Sequence, residues 1–250
     1  MTLETFNTTH LLTITLIPAL IFFSLTLGLK GRSEEIKRRV LLSICCFNAF
    51  LYFIYKIAQA NESAGDFDIF MNLPLHFCNI NLILLPVAIF FKNRTFMAYQ
   101  FYFGTVLGAL ALVTIYPGFM YRSLLEFTPF VYFYYHSMLV ILPILLVTLK
   151  LFTPSFKVVW QPVLMLVGLT GVVHLVNMTF RATSIASEAN YFFTYGLRGD
   201  FFTELFWSIL PYEFFFLLPS LLLFAPFIFF TTLPFHLSSR SQKVHKESKK

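Results

Sequence analysis

The chain has 250 residues, of which 58% are hydrophobic and 12% charged, with 34 phenylalanines and a mean hydropathy of +0.75. No soluble domain buries that share of apolar surface, so lipid is the expected solvent. The net charge of +6 sits in short loops and at the C-terminus rather than along one polar face, which excludes a nucleic-acid footprint.

In chain order, apolar runs extend over Leu11 to Leu29, Val40 to Ala58, Phe70 to Phe91, Thr95 to Ile115, Val131 to Leu149, Val158 to Phe180 and Leu205 to Phe230. A bilayer core takes about 20 apolar residues per helix. The runs therefore predict an all-α, polytopic membrane protein with seven transmembrane helices in one compact domain over residues 1–236. Spanning strands would need alternating polarity. Segments such as Phe214-Phe215-Phe216-Leu217-Leu218 do not alternate. Residues 1–10 lack a basic stretch and a basic cluster follows the first run, so helix 1 reads as a retained anchor rather than a cleaved leader. Residues 237–250 form a lysine-rich tail, expected to be disordered or to lie against anionic headgroups.

Counting Lys and Arg by loop orients the bundle. Lys30, Arg32, Lys37, Arg38, Arg39, Lys92, Arg94, Lys150, Lys157, Arg240, Lys243, Lys246, Lys249 and Lys250 fall on one side, fourteen of the 18 basic residues. Arg122, Arg181 and Arg198 fall on the other, with Lys56 near the outer end of helix 2. The expectation is an N-terminus outside and a C-terminus in the cytoplasm of a cell membrane.

Polar groups within hydrocarbon cost several kcal/mol each and mark packing, partnership or function. His76, Cys78, Asn79 and Asn81 fall six to eleven residues into helix 3, which at about 1.5 Å per residue is about 9 to 17 Å deep. His136 on helix 5, His174 and Asn177 on helix 6, and Glu213 on helix 7 come to similar depth. One polar layer in the outer half of the bundle implies one cavity. Glu213 needs a partner, with Lys56, His174 and His76 all eligible. Cys45 and Cys46 are adjacent on helix 2 without polar company and act as small apolar residues; with Cys78 they make no disulfide framework. Gly104 and Gly108 read as a small-residue packing face. A cysteine and a histidine at matched depth supply an activated thiol that attacks an acyl carbon. Asparagine amides suit its oxyanion.

The segment Leu73-Pro74-Leu75-His76-Phe77-Cys78-Asn79-Ile80-Asn81 resembles the signature helix of the YwaF family of integral membrane proteins, which includes the eukaryotic transmembrane acyltransferase of ether-phospholipid remodelling. Gly108 to Thr114 followed by Pro117, Tyr135-His136, Asn190-Tyr191 and Leu210-Pro211-Tyr212 resemble further family motifs in the same order, over about residues 40 to 230. The resemblance implies seven helices, a nucleophile at Cys78 and a histidine partner at His136. Tyr212-Glu213 departs from the more aromatic stretch of related sequences.

The expected function is a lipid acyltransferase that moves an acyl chain between phospholipid and lysophospholipid, with Cys78 and His136 catalytic. His76, Asn79, Asn81, His174, Asn177, Asn190, Tyr191 and Glu213 are the expected substrate contacts. No cofactor, metal or nucleic acid is expected. A lipid hydrolase using the same pair is one rival, and a non-enzymatic transporter or small-molecule binder is another. A seven-helix retinal receptor is disfavoured because no lysine lies between Lys157 and Lys243.

Overall fold

The computed structural model describes residues 2–63, 68–196 and 201–247. Arg198, Lys249 and Lys250 of the charge count lie outside the described residues. The described residues are helical without named strands; a single isolated bridge joins Thr2 and Ser123. Six helices are long and apolar enough to cross a membrane, and a seventh apolar helix is shorter. The chain divides into two compact units, Met1–Phe152 and Thr153–Lys250.

The first unit contains α1 (Thr8–Leu29), α2 (Glu34–Glu62), α3 (Phe77–Phe90), α4 (Arg94–Tyr99), α5 (Thr105–Val113) and α6 (Phe127–Thr148). Side-chain caps set the helix starts. The side-chain oxygens of Asn7, Ser33 and Asn93 accept from His10, Ile36 and Phe96 N–H, taking one orphan donor each. Glu34 and Glu35 complement the positive end of α2. α6 is the hub, packed against α1, α2, α3 and α5. Its buried face runs from Thr128 through Phe133, His136, Leu139 and Leu142 to Leu146. Gly108 brings α5 close to it: a Cβ there would lie 3.2 Å from both Leu139 Cβ and Val140 Cγ2. The small-residue reading of Gly108 is thus a contact between α5 and α6.

Two predicted helices differ in form. Helix 3 begins at Phe77 rather than Phe70, with turns through residues 69–76. Pro74 lies in that stretch, and a proline disfavours helical geometry in the residue before it. At 14 residues α3 is about 21 Å long, short of the hydrocarbon core. The depth reckoned from Phe70 at helical rise therefore does not hold, and Cys78 stands at the start of α3. Helix 4 is split: Gln100–Gly104 forms a π turn between α4 and α5, with Thr105 N–H bonded to Gln100 O.

The second unit contains α7 (Trp160–Ala182), α8 (Phe201–Ile209) and α9 (Leu221–Glu247). The predicted helix over 205–230 is broken: α8 stops two residues before Pro211, residues 210–214 are irregular, and Phe215–Ser220 is a 3-10 turn leading into α9. Glu213 therefore sits in a break, not two turns inside a helix. Beyond residue 230, α9 stays helical to Glu247, so most of the tail is helix rather than irregular.

A surface clamp fastens one end of the first unit. Arg122 donates to Glu62 through Nη1 and Nη2 at 2.9 and 3.2 Å, and through Nε to Glu126 at 2.7 Å. Thr128 Oγ1 donates to Glu62 Oε1 at 3.0 Å, and Leu3 N–H donates to Arg122 O at 2.9 Å. The Ser123 N–H and then the Arg122 guanidinium hold the Glu126 carboxyl below the usual carboxylate range. A carboxyl depressed in the folded state contributes stability above its unfolded pKa, and that contribution is lost as pH falls through the folded value. Thermal unfolding midpoints should fall on acidification below the ordinary carboxylate range, and Glu126→Gln should flatten that fall. Gly108→Leu should lower the midpoint at neutral pH by overpacking α5 against α6, a change of about 1–3 kcal/mol.

Candidate functional site

Cys78 is the second residue of α3, whose start follows from His76, extended at φ −69° and ψ 153° as the N-cap residue. The first turn of a helix presents N–H groups and the positive end of the dipole, which favour negative charge. Cys78 is half-buried and packs against a cluster that includes Tyr55, Leu82 and Tyr135, against which Tyr52 and Tyr132 pack as well. His136, on α6, is 2% exposed. Its ring lies 4.2 Å from that of Tyr132 and 4.0 Å from that of Tyr135, centroid to centroid.

The tautomer of His136 follows from its partner. Nδ1 is 2.8 Å from the carbonyl oxygen of Tyr132. A carbonyl only accepts, so Nδ1 carries the proton and Nε2 of the neutral ring keeps its lone pair. Thiol and imidazole thus both border the cluster that contains Tyr135. Among the described residues no hydrogen bond joins Cys78 to His136.

Asn79 and Asn81 are both buried. Asn81 Oδ1 accepts from Gln100 Nε2 at 2.9 Å, across from the π turn. Asn81 Nδ2 and Gln100 Oε1 are buried without hydrogen-bond partners. The missing side chain of Gly104 makes room, since a Cβ there would come within 2.8 Å of Gln100 Oε1 and 3.9 Å of Asn81 Nδ2. Lys56 takes its partners within this unit: Nζ donates to Gln59 Oε1 at 2.9 Å and Asn72 Oδ1 at 3.3 Å.

The remaining expected residues belong to the second unit. Asn177 Nδ2 donates to Tyr191 O at 2.8 Å and Thr194 Oγ1 at 2.9 Å, while its Oδ1 accepts from Tyr191 N–H at 3.0 Å. Asn190 Nδ2 donates to Gly196 O at 2.7 Å, and its Oδ1 accepts from Tyr195 N–H at 3.0 Å. These amides fasten a loop in which Phe192 and Phe193 have φ of 57° and 55°, a conformation bulky residues adopt only when the surroundings enforce it. His174 Nδ1 lies 3.0 Å from Thr194 Oγ1, and its ring packs beside Tyr195 and Phe214. Burial first, and the Glu213 carboxylate second, push the Tyr195 phenol up; the Arg181 guanidinium, 4.3 Å over the Tyr195 ring, opposes them. Glu213 itself is exposed. The residues expected to share one layer thus divide between two units, each carrying its own polar set.

A family model described as the TMEM164 family matches residues 5–231. The chain belongs to the TMEM164 family. This is a transmembrane protein family, and the six long apolar helices agree with membership. No curated protein and no solved structure matches the chain.

Sequence reasoning missed Gln100, Tyr132 and the buried His10. His10 Nδ1 accepts from Phe6 N–H at 3.0 Å and Nε2 lies 2.8 Å from Leu112 O, where it donates. Tyr132 carried a signal, one turn before His136 on the same helix face. His10 carried none, because Leu112 is far away in sequence. Replacing Asn177 by Leu should free the Tyr191 N–H and the strained loop, raising amide exchange over residues 190–196 by the equivalent of about 1–3 kcal/mol.

Proposed function

We propose that this TMEM164-family membrane protein is a thiol-dependent lipid acyltransferase, as the YwaF resemblance implies, with Cys78 the nucleophile and His136 its base. The observation that carries the reading is the fixed tautomer of His136: the Tyr132 carbonyl holds Nδ1–H, leaving Nε2 free to take a proton, beside Tyr135 of the cluster against which Cys78 packs. In the first half-reaction the Cys78 proton passes to Nε2 and Sγ attacks the carbonyl carbon of a phospholipid ester. The tetrahedral adduct collapses, the C–O bond breaks, and Nε2–H protonates the departing lysolipid alkoxide. In the second, an acceptor hydroxyl gives its proton to Nε2 and attacks the thioester, and the departing thiolate recovers the proton.

Asn81 supports the same reading. Its Nδ2 is a buried N–H donor without a partner, one helical turn from Cys78. A donor of that kind stabilises an oxyanion when it lies within hydrogen-bond reach of the developing charge. His136 is nearly inaccessible and ringed by aromatic groups, which favours transfer to a lysolipid over transfer to water. His76, as N-cap residue, and Asn79 complete the set on α3. His174 and Glu213 are the substrate-contact candidates of the second unit, with Asn177, Asn190 and Tyr191 shaping the loop beside His174. In this reading the protein sits in a cell membrane with its N-terminus outside and residues 237–250 cytoplasmic, acting on phospholipids and lysophospholipids.

A non-enzymatic transporter or binder is the second reading. Its supporting observation is the interrupted helices, short α3 in one unit and the break at 210–220 in the other, since broken helices commonly build solute sites.

Cys78→Ala and His136→Ala should each abolish acyl exchange in reconstituted membranes, at undiminished protein levels. Wild-type protein incubated with a radiolabelled phospholipid should carry label releasable by neutral hydroxylamine, as a thioester is; Cys78→Ala should carry none. Unaltered exchange in both variants would remove the enzyme reading, and solute uptake independent of Cys78 would favour the second.

A further inference from the structure

One turn beyond the thiol and imidazole, α2, α3 and α6 border a different feature. Leu82 stands four residues after Cys78 on α3, and Leu139 three residues after His136 on α6. A small cavity, of a size to hold one water molecule, is lined by Cys45 and Asn48 from α2, by Leu82, Leu85 and Pro86 from α3, and by Met138, Leu139 and Leu142 from α6. Its walls are apolar with one exception. Asn48 is 1% exposed, and its Oδ1 is buried without a hydrogen-bond partner. An unpaired buried acceptor loses the hydrogen bonds that water would have given it, and is destabilising.

Two prolines increase the excess of acceptors. Proline has no N–H, so each proline inside a helix deprives the carbonyl four residues earlier of its donor. Pro86 lies inside α3 and so deprives Leu82 O; Pro143 lies inside α6 and so deprives Leu139 O. Both deprived carbonyls belong to residues that line the cavity. Neither proline is needed to end a helix, because each helix continues past it. The two interruptions therefore converge, with Asn48, on one spot among α2, α3 and α6. The Cys45 thiol, a weak donor, lies on the same wall.

We infer that this cavity is a binding site for a single ordered water molecule, which donates to Asn48 Oδ1 and to a carbonyl deprived of its donor by Pro86 or Pro143. A water supplies two O–H donors, one for Asn48 Oδ1 and one for such a carbonyl, and it accepts the Cys45 S–H in return. A monovalent cation would be drawn to oxygens as well, but the apolar side chains leave it short of a full coordination shell. The bound water ties α2 to α3 and α6 beneath the tyrosine cluster. This inference stands whether or not Cys78 is a nucleophile.

The test compares the sign of a stability change with a direct view of the site, in the full-length protein in nanodiscs. Asn48→Leu removes the acceptor and adds apolar volume. If the cavity is dry, that change relieves an unpaired group and the unfolding midpoint holds or rises; if water is bound, the water is lost, Leu82 and Leu139 are left bare, and the midpoint shifts down. Since leucine can also overpack, a high-resolution density map of the wild type decides independently. An ordered peak within hydrogen-bond distance of Asn48 Oδ1, with an unfolding midpoint insensitive to exchanging sodium for potassium, is the expected result. Absence of that peak, or a midpoint that depends on which alkali cation is present, overturns the assignment to water.

Discussion

Hydrocarbon supplies no hydrogen bonds, and the architecture follows from where this chain finds donors for carbonyls that its helices leave over. The last carbonyls of an α-helix have no partner within it. In water this costs little, but in lipid each unmet group costs several kcal/mol. Here the donors come from side chains drawn from elsewhere in the same unit. His10 reaches Leu112 O at the end of α5, Tyr132 reaches Ala111 O beside it, and Lys37 reaches Leu149 O just past α6. In the second unit Arg181 reaches Ala189 O and Asn190 reaches Gly196 O.

The same constraint sorts the intramembrane polar residues by role. Asn177 and Asn190 have both ends of their amides engaged by the loop over residues 189–196, and Lys56 is engaged by Gln59 and Asn72. Other residues keep capacity left over. Asn81 has one end of its amide engaged and the other idle, His136 has one nitrogen anchored and the other open, and Cys78 stands at a helix start. Chemistry needs groups held in place by one bond and free at another, and Asn81 and His136 fit that description on two adjoining helices of one unit.

Apolar surface completes the picture. Phe23, Leu27 and Leu222 are 61%, 70% and 75% exposed, on helices whose buried share is small, as expected for chains solvated by lipid. α6 is the contrast, buried along most of its length and in contact with every long helix of its unit. A histidine on such a helix is shielded from water by packing rather than by a lid.

The sequence by itself determined that this is an all-helical membrane chain, because the length and apolarity of its runs leave no other way to satisfy the backbone in lipid. It also singled out Cys78 and His136 by residue type, without fixing where on its helix Cys78 stands, and it gave the packing role of Gly108 by helical spacing. Only the tertiary structure decided where helix 3 begins, where the last predicted helix breaks, and which polar groups are already engaged. Those outcomes turn on turns and donors contributed by residues far apart in sequence: His10 with Leu112, and Asn81 with Gln100. A hydropathy run cannot register turns within a largely apolar stretch such as residues 69–76, nor can composition say which amide has found its partner.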